Sequence, residues 1–316
     1  MPVDAPGLTR FRTSDVAEPR RLAAWEEHNA RSLVGLTASP IGDRPFSGVE
    51  VNLALPRLQL ARVTGSPHVV DRGPRQIATA PADGVVVYVA LAGHGRFEHR
   101  AGDAVLGPGQ LLVCDADQPF RRGFSDGLTE LVLKAPRAVL RDATGHGGLA
   151  RPRTVDLGAG STEAGAAHAR ALAAAVADAF RGPTGWETVE ATILELLPAV
   201  LGRSSPDAGH LAAAHAFITA RLADPGLSAG GIARAVGISE RQLSRLFAAA
   251  GQSVPQAVQS ARLDAARRML ADPTHAGTPL AEVAGRHGFA SQAHFSRSYR
   301  ARFGTTPSRD RRASAD

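Results

Sequence analysis

Three scarcities in the sequence each exclude a class of protein. The single cysteine, Cys114, permits no internal disulfide and argues against a zinc site made of cysteines. Lys134 is the only lysine, so arginine carries nearly all of the positive charge. No apolar run reaches the ~18 residues of a membrane-spanning helix, and the first residues lack the apolar core of a signal peptide. We therefore expect a cytoplasmic protein with no disulfide and no membrane span.

The positive charge is concentrated near the C-terminal end. Residues 205–316 contain 14 arginines and 8 acidic residues, a net charge of +6, whereas residues 1–204 contain 22 basic and 22 acidic residues. A local basic excess is typical of a surface that binds nucleic acid, although a solvated surface without a partner would give the same count. The polar stretch 203–207 is the predicted linker. We predict two domains, residues 1–204 and 205–316.

The first domain has the pattern of an antiparallel β-barrel. Short strands rich in β-branched residues are predicted at 85–91, 96–100, 111–114 and 128–133, with glycine and proline turns between them. Many short strands at regular spacing indicate a sandwich or a barrel.

A helical appendage is predicted after the strands, and residues 186–201 form its second helix. One face of that helix is apolar and includes Ile193. An exposed apolar face usually marks an interface, so the helix predicts a homodimer. Packing of the same face on the barrel is the alternative.

Two short helical units with the same design follow in the second domain. In the first, Gly237 supplies a turn and Ser239 can cap the next helix, with Gln242 placed to complete a capping box. Arg241, Ser244 and Arg245 then fall opposite the apolar face of that helix. In the second unit Gly288 and Ser291 have the equivalent roles, and Gln292, His294 and Arg297 lie on the exposed side. Tandem helix-turn-helix units explain this repeat better than a plain helical bundle does.

The C-terminal stretch resembles the AraC/XylS family of bacterial regulators over about 100 residues. The residues that carry the resemblance are Gly237-Ile238-Ser239, Arg241, Leu243 and Arg245-Leu246-Phe247 in the first unit; Gly251, Pro255, Arg262-Leu263, Ala265, Ala266 and Leu270 between the units; and Val283-Ala284, Gly288-Phe289, Ser291, His294-Phe295-Ser296-Arg297, Arg300, Phe303-Gly304 and Pro307-Ser308 in the second. More faintly, Tyr88–Gly93, Gly107–Leu111 and Asp117–Phe120 resemble the family's cupin-like effector-binding barrel. The resemblance implies a promoter-binding regulator that responds to a small organic effector and contacts RNA polymerase. Activation is the family's more common mode, and repression without a ligand stays open.

These patterns give a specific set of expected DNA contacts. The expected DNA-binding residues are Ser239, Arg241, Gln242, Ser244, Arg245, Arg262, Ser291, Gln292, His294, Arg297 and Arg300. Among them, Arg262 and Arg300 are expected to face the DNA backbone rather than the bases. A helix of about 15 residues would join the two units, so that each recognition helix enters one of two successive major grooves, ~34 Å apart.

The expected effector contacts are Arg62, Tyr88, His94 and Arg96, because polar groups among the apolar walls of a barrel are typical of small-molecule sites. A metal-dependent cupin enzyme is the competing interpretation. It would need two histidines on one strand face, but His94 and His99 are five residues apart, and position 114 is cysteine. His68 is expected on the surface or in a loop. No catalytic residue, metal site or cofactor is predicted. A non-specific architectural DNA binder is a third possibility.

Overall fold

The structure is a computed structural model that describes residues 7–158, 161, 165–181, 185–202 and 206–313. By their internal contacts, the elements divide into two compact units, Met1–Ser205 and Pro206–Asp316. The predicted linker begins with residues 203–205, which lie outside the described residues.

Two antiparallel sheets face each other in the N-terminal unit. The strands that the structure describes are β1 (Gly7–Arg12), β2 (Thr37–Pro40), β3 (Gly48–Ala54), β4 (Gln59–Gly65), β5 (His68–Arg72), β6 (Gly84–Ala92), β7 (Gly95–His99), β8 (Ala104–Leu106), β9 (Gln110–Asp115), β10 (Phe120–Phe124), β11 (Leu128–Pro136) and β12 (Arg153–Asp156). The larger sheet has the order β1-β3-β4-β11-β6-β9-β12, and the smaller has the order β2-β5-β10-β7-β8. Every strand pair in both sheets is antiparallel.

The core of this unit lies between the sheets. Successive side chains of a strand point to opposite faces, so Val86 and Tyr88 of β6 face Phe97 of β7 and Phe120 of β10 across one apolar cluster. Val85, Val87 and Val89, on the other face of β6, are buried as well, whereas Leu91 and Ala92 at the end of the strand are exposed. A strand covered on both faces is apolar throughout its length, which explains the continuous run that predicted β6.

Helices cover the remaining faces of this unit. They are α1 (Arg21–Ser32), α2 (Pro74–Thr79), α3 (Arg137–Thr144), α4 (Ala166–Ala179) and α5 (Trp186–Val200). Helix α3 packs on β6 and β11, α4 packs on β11 and β12, and α5 packs on α3 and α4. Ile193 in α5 is fully buried as a result. The prediction that this apolar face is exposed was therefore wrong. The alternative, packing on the barrel, is close to what the structure has, with the helices α3 and α4 as the main partners of the face.

The C-terminal unit is helical. Its helices among the described residues are α6 (Pro206–Ala220), α7 (Ala229–Val236), α8 (Glu240–Ala249), α9 (Val254–Ala271), α10 (Leu280–Arg286), α11 (Gln292–Phe303) and α12 (Pro307–Ala313). The predicted fold class, an antiparallel β-domain with a helical appendage followed by an all-helical domain with two helix-turn-helix units, is confirmed. Within the described part of the chain, no helix is long and apolar enough to span a membrane.

Candidate DNA interface and effector cavity

The first helix-turn-helix unit consists of α7 and α8. Helix α7 ends at Gly237, whose φ of +79° is a left-handed conformation that favours glycine. The hydroxyl oxygen of Ser239 accepts a hydrogen bond from the backbone N–H of Gln242 at 3.2 Å, which caps α8. The reciprocal bond that would make a capping box is present instead at the start of α9, between Ser253 and Gln256. The cap at Ser239 is therefore confirmed, and its predicted box is not formed.

The second unit, α10 and α11, repeats this design with a longer turn. Ser291 caps α11 by accepting a hydrogen bond from the N–H of His294 at 3.2 Å. The backbone N–H of Ile238 bonds to Ala233 in the first unit, and that of Phe289 bonds to Ala284 in the second. The first helices are thus offset by 51 positions and the capping serines by 52, so the second turn contains one extra residue.

An apolar face holds each recognition helix against its unit. Leu243, Leu246 and Phe247 of α8 are buried. In α11, Phe295 packs against Tyr299 with ring centroids 5.5 Å apart, and Tyr299 packs against Phe303 at 4.6 Å. These contacts fix which faces of the two helices are directed outward.

Most of the expected DNA-binding side chains lie on those outward faces. The exposed ones are Ser239, Arg241, Ser244, Arg245, Ser291, Gln292, His294, Arg297 and Arg300, whereas Gln242 is half-buried. Arg245 lies 3.5 Å from the Asp207 carboxylate, and both side chains are exposed. Within the described residues, the side chains of Arg241, Arg297 and Arg300 have no ion pair. Each recognition helix therefore presents an arginine that is available to an anionic partner or a base edge.

Arg262 makes contacts within its own unit that its expected role did not include. Sequence reasoning placed it against the DNA backbone, but its guanidinium group is directed into the unit. Its Nε donates to the carbonyl of Leu222 at 2.9 Å, and its Nη2 donates to the carbonyl of Asp224 at 2.8 Å. The helical periodicity of the sequence predicts the face of α9 on which Arg262 lies. It does not predict that this face contacts the turn between α6 and α7.

A cavity lies inside the N-terminal unit, under α1 and the segment that follows it. The cavity is small, with a volume of about 40 Å³, and it is partly open to solvent. Trp25 and Asn29 of α1 form part of one wall, and Tyr88, Val63 and Val132 of the larger sheet form part of another. Apolar walls with a few polar groups are typical of small-molecule sites.

A buried ion pair lies at the wall of this cavity. The guanidinium of Arg122 makes two hydrogen bonds to the Glu130 carboxylate, at 3.0 and 2.6 Å, and both side chains are at most 7% exposed. The Arg122 Cζ also stacks 3.8 Å from the ring centroid of Tyr88. Burial acts to lower the pKa of Arg122, but the Glu130 carboxylate raises it. The site therefore holds a positive charge that is already neutralised.

Beside this cavity lies a second polar cluster, between α1 and β3. Glu50 is fully buried; its Oε1 accepts a hydrogen bond from Asn52 at 2.5 Å, whereas its Oε2 has no hydrogen-bond partner among the described residues. The Nε2 of His28 lies 2.8 Å from the Asn52 Oδ1 and 3.6 Å from the Glu50 Oε1. Burial raises the pKa of Glu50 to about 7 and lowers that of His28. Near neutral pH the Glu50 side chain is therefore partly carboxylic acid and partly carboxylate.

Of the four expected effector contacts, only Tyr88 lines the cavity. Arg62 is exposed on β4, Arg96 pairs with Glu98 and Asp103 on the outer surface, and His94 lies in an exposed turn beside Asp126. The structure does not bring these three residues to the cavity, because each has the strand parity, or the turn position, that points outward.

Sequence reasoning missed Arg122, Glu130 and His68. The alternation of Phe120, Arg122 and Phe124 places the arginine on the inward face of β10, and that signal was available. His68, expected on the surface or in a loop, is buried and lines the cavity. Its Nδ1 lies 2.7 Å from the carbonyl of Ser66, so this nitrogen is the donor. Burial lowers the pKa of His68, and the neutral ring keeps Nε2 as an acceptor.

The histidines considered for a metal site do not converge. His94 is exposed in its turn, whereas the His99 ring lies inside the unit and contacts the Gln118 amide at 3.1 Å. In the part of the chain that the structure describes, no three His, Cys, Asp or Glu side chains are grouped to hold a metal ion.

Comparison with known proteins agrees with both parts of this description. Residues 25–202 match a family model described as an AraC-binding-like domain, and residues 232–313 match one described as a helix-turn-helix domain. The chain is 26% identical to the transcriptional activator NphR of Rhodococcus sp over 84% of its length and 78% of that protein's. It is 37% identical to the HTH-type transcriptional regulator CdhR of Pseudomonas aeruginosa over 29% of this chain and 26% of that one. The crystal structure of the AraC-like transcriptional activator CuxR aligns with a TM-score of 0.48 at 18% identity, covering 82% of this chain and 95% of that one.

Proposed function

We propose, from the premise that this chain belongs to the AraC family of transcriptional regulators, that it binds one promoter site by reading two DNA segments. The observation that carries the proposal is the pair of capped recognition helices with outward arginines at matching positions, Arg245 and Arg297. Arg241 and Arg245 would read one segment, and Gln292 and Arg297 the other. Arg300, exposed near the end of α11, would bind a phosphate.

The effector proposed for the cavity is a small, uncharged organic molecule. An anionic ligand would find the Arg122 charge already paired with Glu130 and would lie near a second buried carboxyl, that of Glu50. A cationic ligand would be repelled by the same guanidinium group. Burying an unpaired charge is costly, so the walls favour a neutral ligand with an apolar body. The Nε2 of His68 could accept a hydrogen bond from it.

Activation of transcription is the proposed output, with RNA polymerase as the partner at the promoter. Support comes from the similarity to NphR, which is named a transcriptional activator. Repression is the alternative. If the protein is a homodimer, its interface lies elsewhere than on the apolar face of α5, because Ile193 and its neighbours are buried within the unit. We propose no catalytic activity and no cofactor.

The DNA-binding proposal is tested by selecting, from a random duplex library, the sequences that the purified full-length protein retains. The expected result is one motif with two conserved segments, and a reporter promoter that carries this motif should respond to the protein. Enrichment of no sequence, with binding that depends only on salt and length, would instead indicate an architectural DNA binder.

The effector proposal is tested by calorimetry with four probes of similar size: phenol, anisole, benzoate and benzylamine. Phenol is neutral and donates a hydrogen bond, anisole is neutral without a donor, and the other two are charged at pH 7.5. Phenol should bind most tightly, and His68→Phe should remove its advantage over anisole. Binding of benzoate or benzylamine more tightly than phenol would contradict the proposed charge preference.

A further inference from the structure

Arg262 lies where three segments of the C-terminal unit meet. It is on α9, and the two carbonyls that it binds belong to the turn between α6 and α7, which is part of the first helix-turn-helix half. That turn is itself ordered, because Asp224 accepts a hydrogen bond from the N–H of Gly226 at 2.7 Å. The guanidinium therefore joins α9 to the α6–α7 turn.

The second half reaches the same point through Gly288. This glycine has a φ of +72°, and a Cβ built on it would lie 2.6 Å from the carbonyl oxygen of Leu222 and 2.7 Å from the Cζ of Arg262. Real Cβ atoms do not approach other atoms this closely, so only glycine lets the turn of the second unit lie against the guanidinium. The α6–α7 turn of the first half, helix α9 and the turn of the second helix-turn-helix unit therefore all meet at the Arg262 side chain.

Helix α9 packs on α6 and α8 as well as on α10, α11 and α12, and further polar contacts join it to the second half. Arg302 of α11 binds the Asp264 carboxylate at 2.7 and 2.9 Å and the Ser260 hydroxyl at 2.9 Å, and Gln259 donates to Ser298 at 2.9 Å. Among these polar contacts of α9, those of Arg262 are the ones that reach the α6–α7 turn.

We propose that Arg262 is a positioning residue that sets the distance and angle between the two recognition helices, and so the number of base pairs between the two DNA segments. The inference rests on the proposed reading of two segments. One base pair moves the second segment by ~3.4 Å and rotates it by about a tenth of a turn. If the two recognition helices are held at a fixed distance and angle, a site with altered spacing binds more weakly. If they can move relative to each other, both helices still reach their segments. Arg262 thereby selects spacing without touching DNA.

The experiment measures the Kd of the full-length protein for duplexes that carry the selected motif with one base pair removed from or added between its segments. The wild type should lose about tenfold or more in affinity on either change, equivalent to at least ~1.4 kcal/mol. In Arg262→Ala, the loss of affinity caused by removing or adding one base pair should be about threefold or less. The base preference within each segment should stay as in the wild type. Arg262→Lys retains the charge with fewer donors and should fall between them. Arg300→Ala, the matched control, removes one exposed arginine and should weaken binding equally at all spacings.

Equal weakening of all three duplexes by Arg262→Ala, with the wild-type spacing preference intact, would overturn the inference and restore a role in binding the DNA backbone. The helical circular dichroism and melting temperature of each variant are measured alongside. If Arg262→Ala does not fold, Arg262→Lys decides, and an unchanged spacing preference in it contradicts the proposal. A wild type with no spacing preference would instead remove the two-segment reading, and the inference with it.

Discussion

Replacing Glu50 by glutamine is expected to make the stability of the N-terminal unit less dependent on pH. The carboxyl is fully buried with one oxygen unpartnered, and burial raises its pKa from 4.5 to about 7. Between these values the folded protein holds a proton that the unfolded chain releases, so rising pH favours unfolding. Below pH 4.5 both states are protonated, and above pH 7 the penalty is complete.

The magnitude follows from the two pKa values. The interval from 4.5 to about 7, at about 1.4 kcal/mol per pH unit, corresponds to about 3.5 kcal/mol in total. Part of that penalty is already present at pH 5. The difference in unfolding free energy between Glu50→Gln and the wild type should therefore increase by about 2.5 kcal/mol from pH 5 to pH 8, in favour of the variant.

Urea unfolding followed by tryptophan fluorescence measures this difference, because Trp25 and Trp186, the two tryptophans of the sequence, both lie in the N-terminal unit. Glu27→Gln is the control, since the Glu27 carboxylate on α1 is 69% exposed. Its effect should be small and constant with pH. A Glu50→Gln effect that stays constant or shrinks as pH rises would refute the reasoning and would indicate that Glu50 is ionised and paired with a protonated His28.

Three further substitutions test two buried side chains and one helix cap. Glu130→Gln should destabilise the N-terminal unit by ~3–5 kcal/mol, because it leaves the Arg122 charge buried without its partner; Glu98→Gln, in an exposed pair, should cost under ~1 kcal/mol in the same urea titration. Ile193→Asp should unfold that unit, visible as loss of the near-ultraviolet circular dichroism, and a folded monomer would contradict the packing of α5. Ser291→Ala should cost ~1 kcal/mol of C-terminal stability through loss of the α11 cap, measured by helical circular dichroism, whereas an unchanged melting temperature would show that the cap contributes little.

Local patterns were sufficient to predict the helix-turn-helix units. The turn glycine Gly237 and the capping serines Ser239 and Ser291 act within a few residues of themselves, so the sequence contains all that decides their role. The apolar faces of α8 and α11 likewise follow from helical periodicity. The exposed positions of Arg241 and Arg297 followed from those faces.

Residues whose role depends on distant segments were harder to predict. Arg262 lies on a correctly predicted helix, but its partners, the carbonyls of Leu222 and Asp224, come from a turn about 40 positions earlier. The burial of Ile193 depends on how α5 meets α3 and α4, and its apolar periodicity is the same whether the cover is its own unit or a second chain. Strand β12 lies within a stretch rich in glycine and proline, whose local sequence does not indicate a strand, and pairing with β9 decides its conformation.

The effector residues show a third kind of limit. Arg62 and Arg96 were chosen as polar residues of the predicted barrel, yet strand parity directs them outward. The same parity, applied to Phe120, Arg122 and Phe124, would have identified the inward arginine. Its pairing with Glu130 could not be predicted, because it depends on which strands of the two facing sheets lie opposite each other.

The two-segment reading of DNA is tested most directly by binding Arg245→Ala and Arg297→Ala to a library of single-base variants of the selected site. Each substitution removes one exposed arginine from one recognition helix. Each should cost ~1–3 kcal/mol and relax base preference in one segment only, with the two segments centred about 10–10.5 base pairs apart. Loss of preference over the same segment in both variants, or in neither, would contradict the account, because one unit at most would then read the sequence.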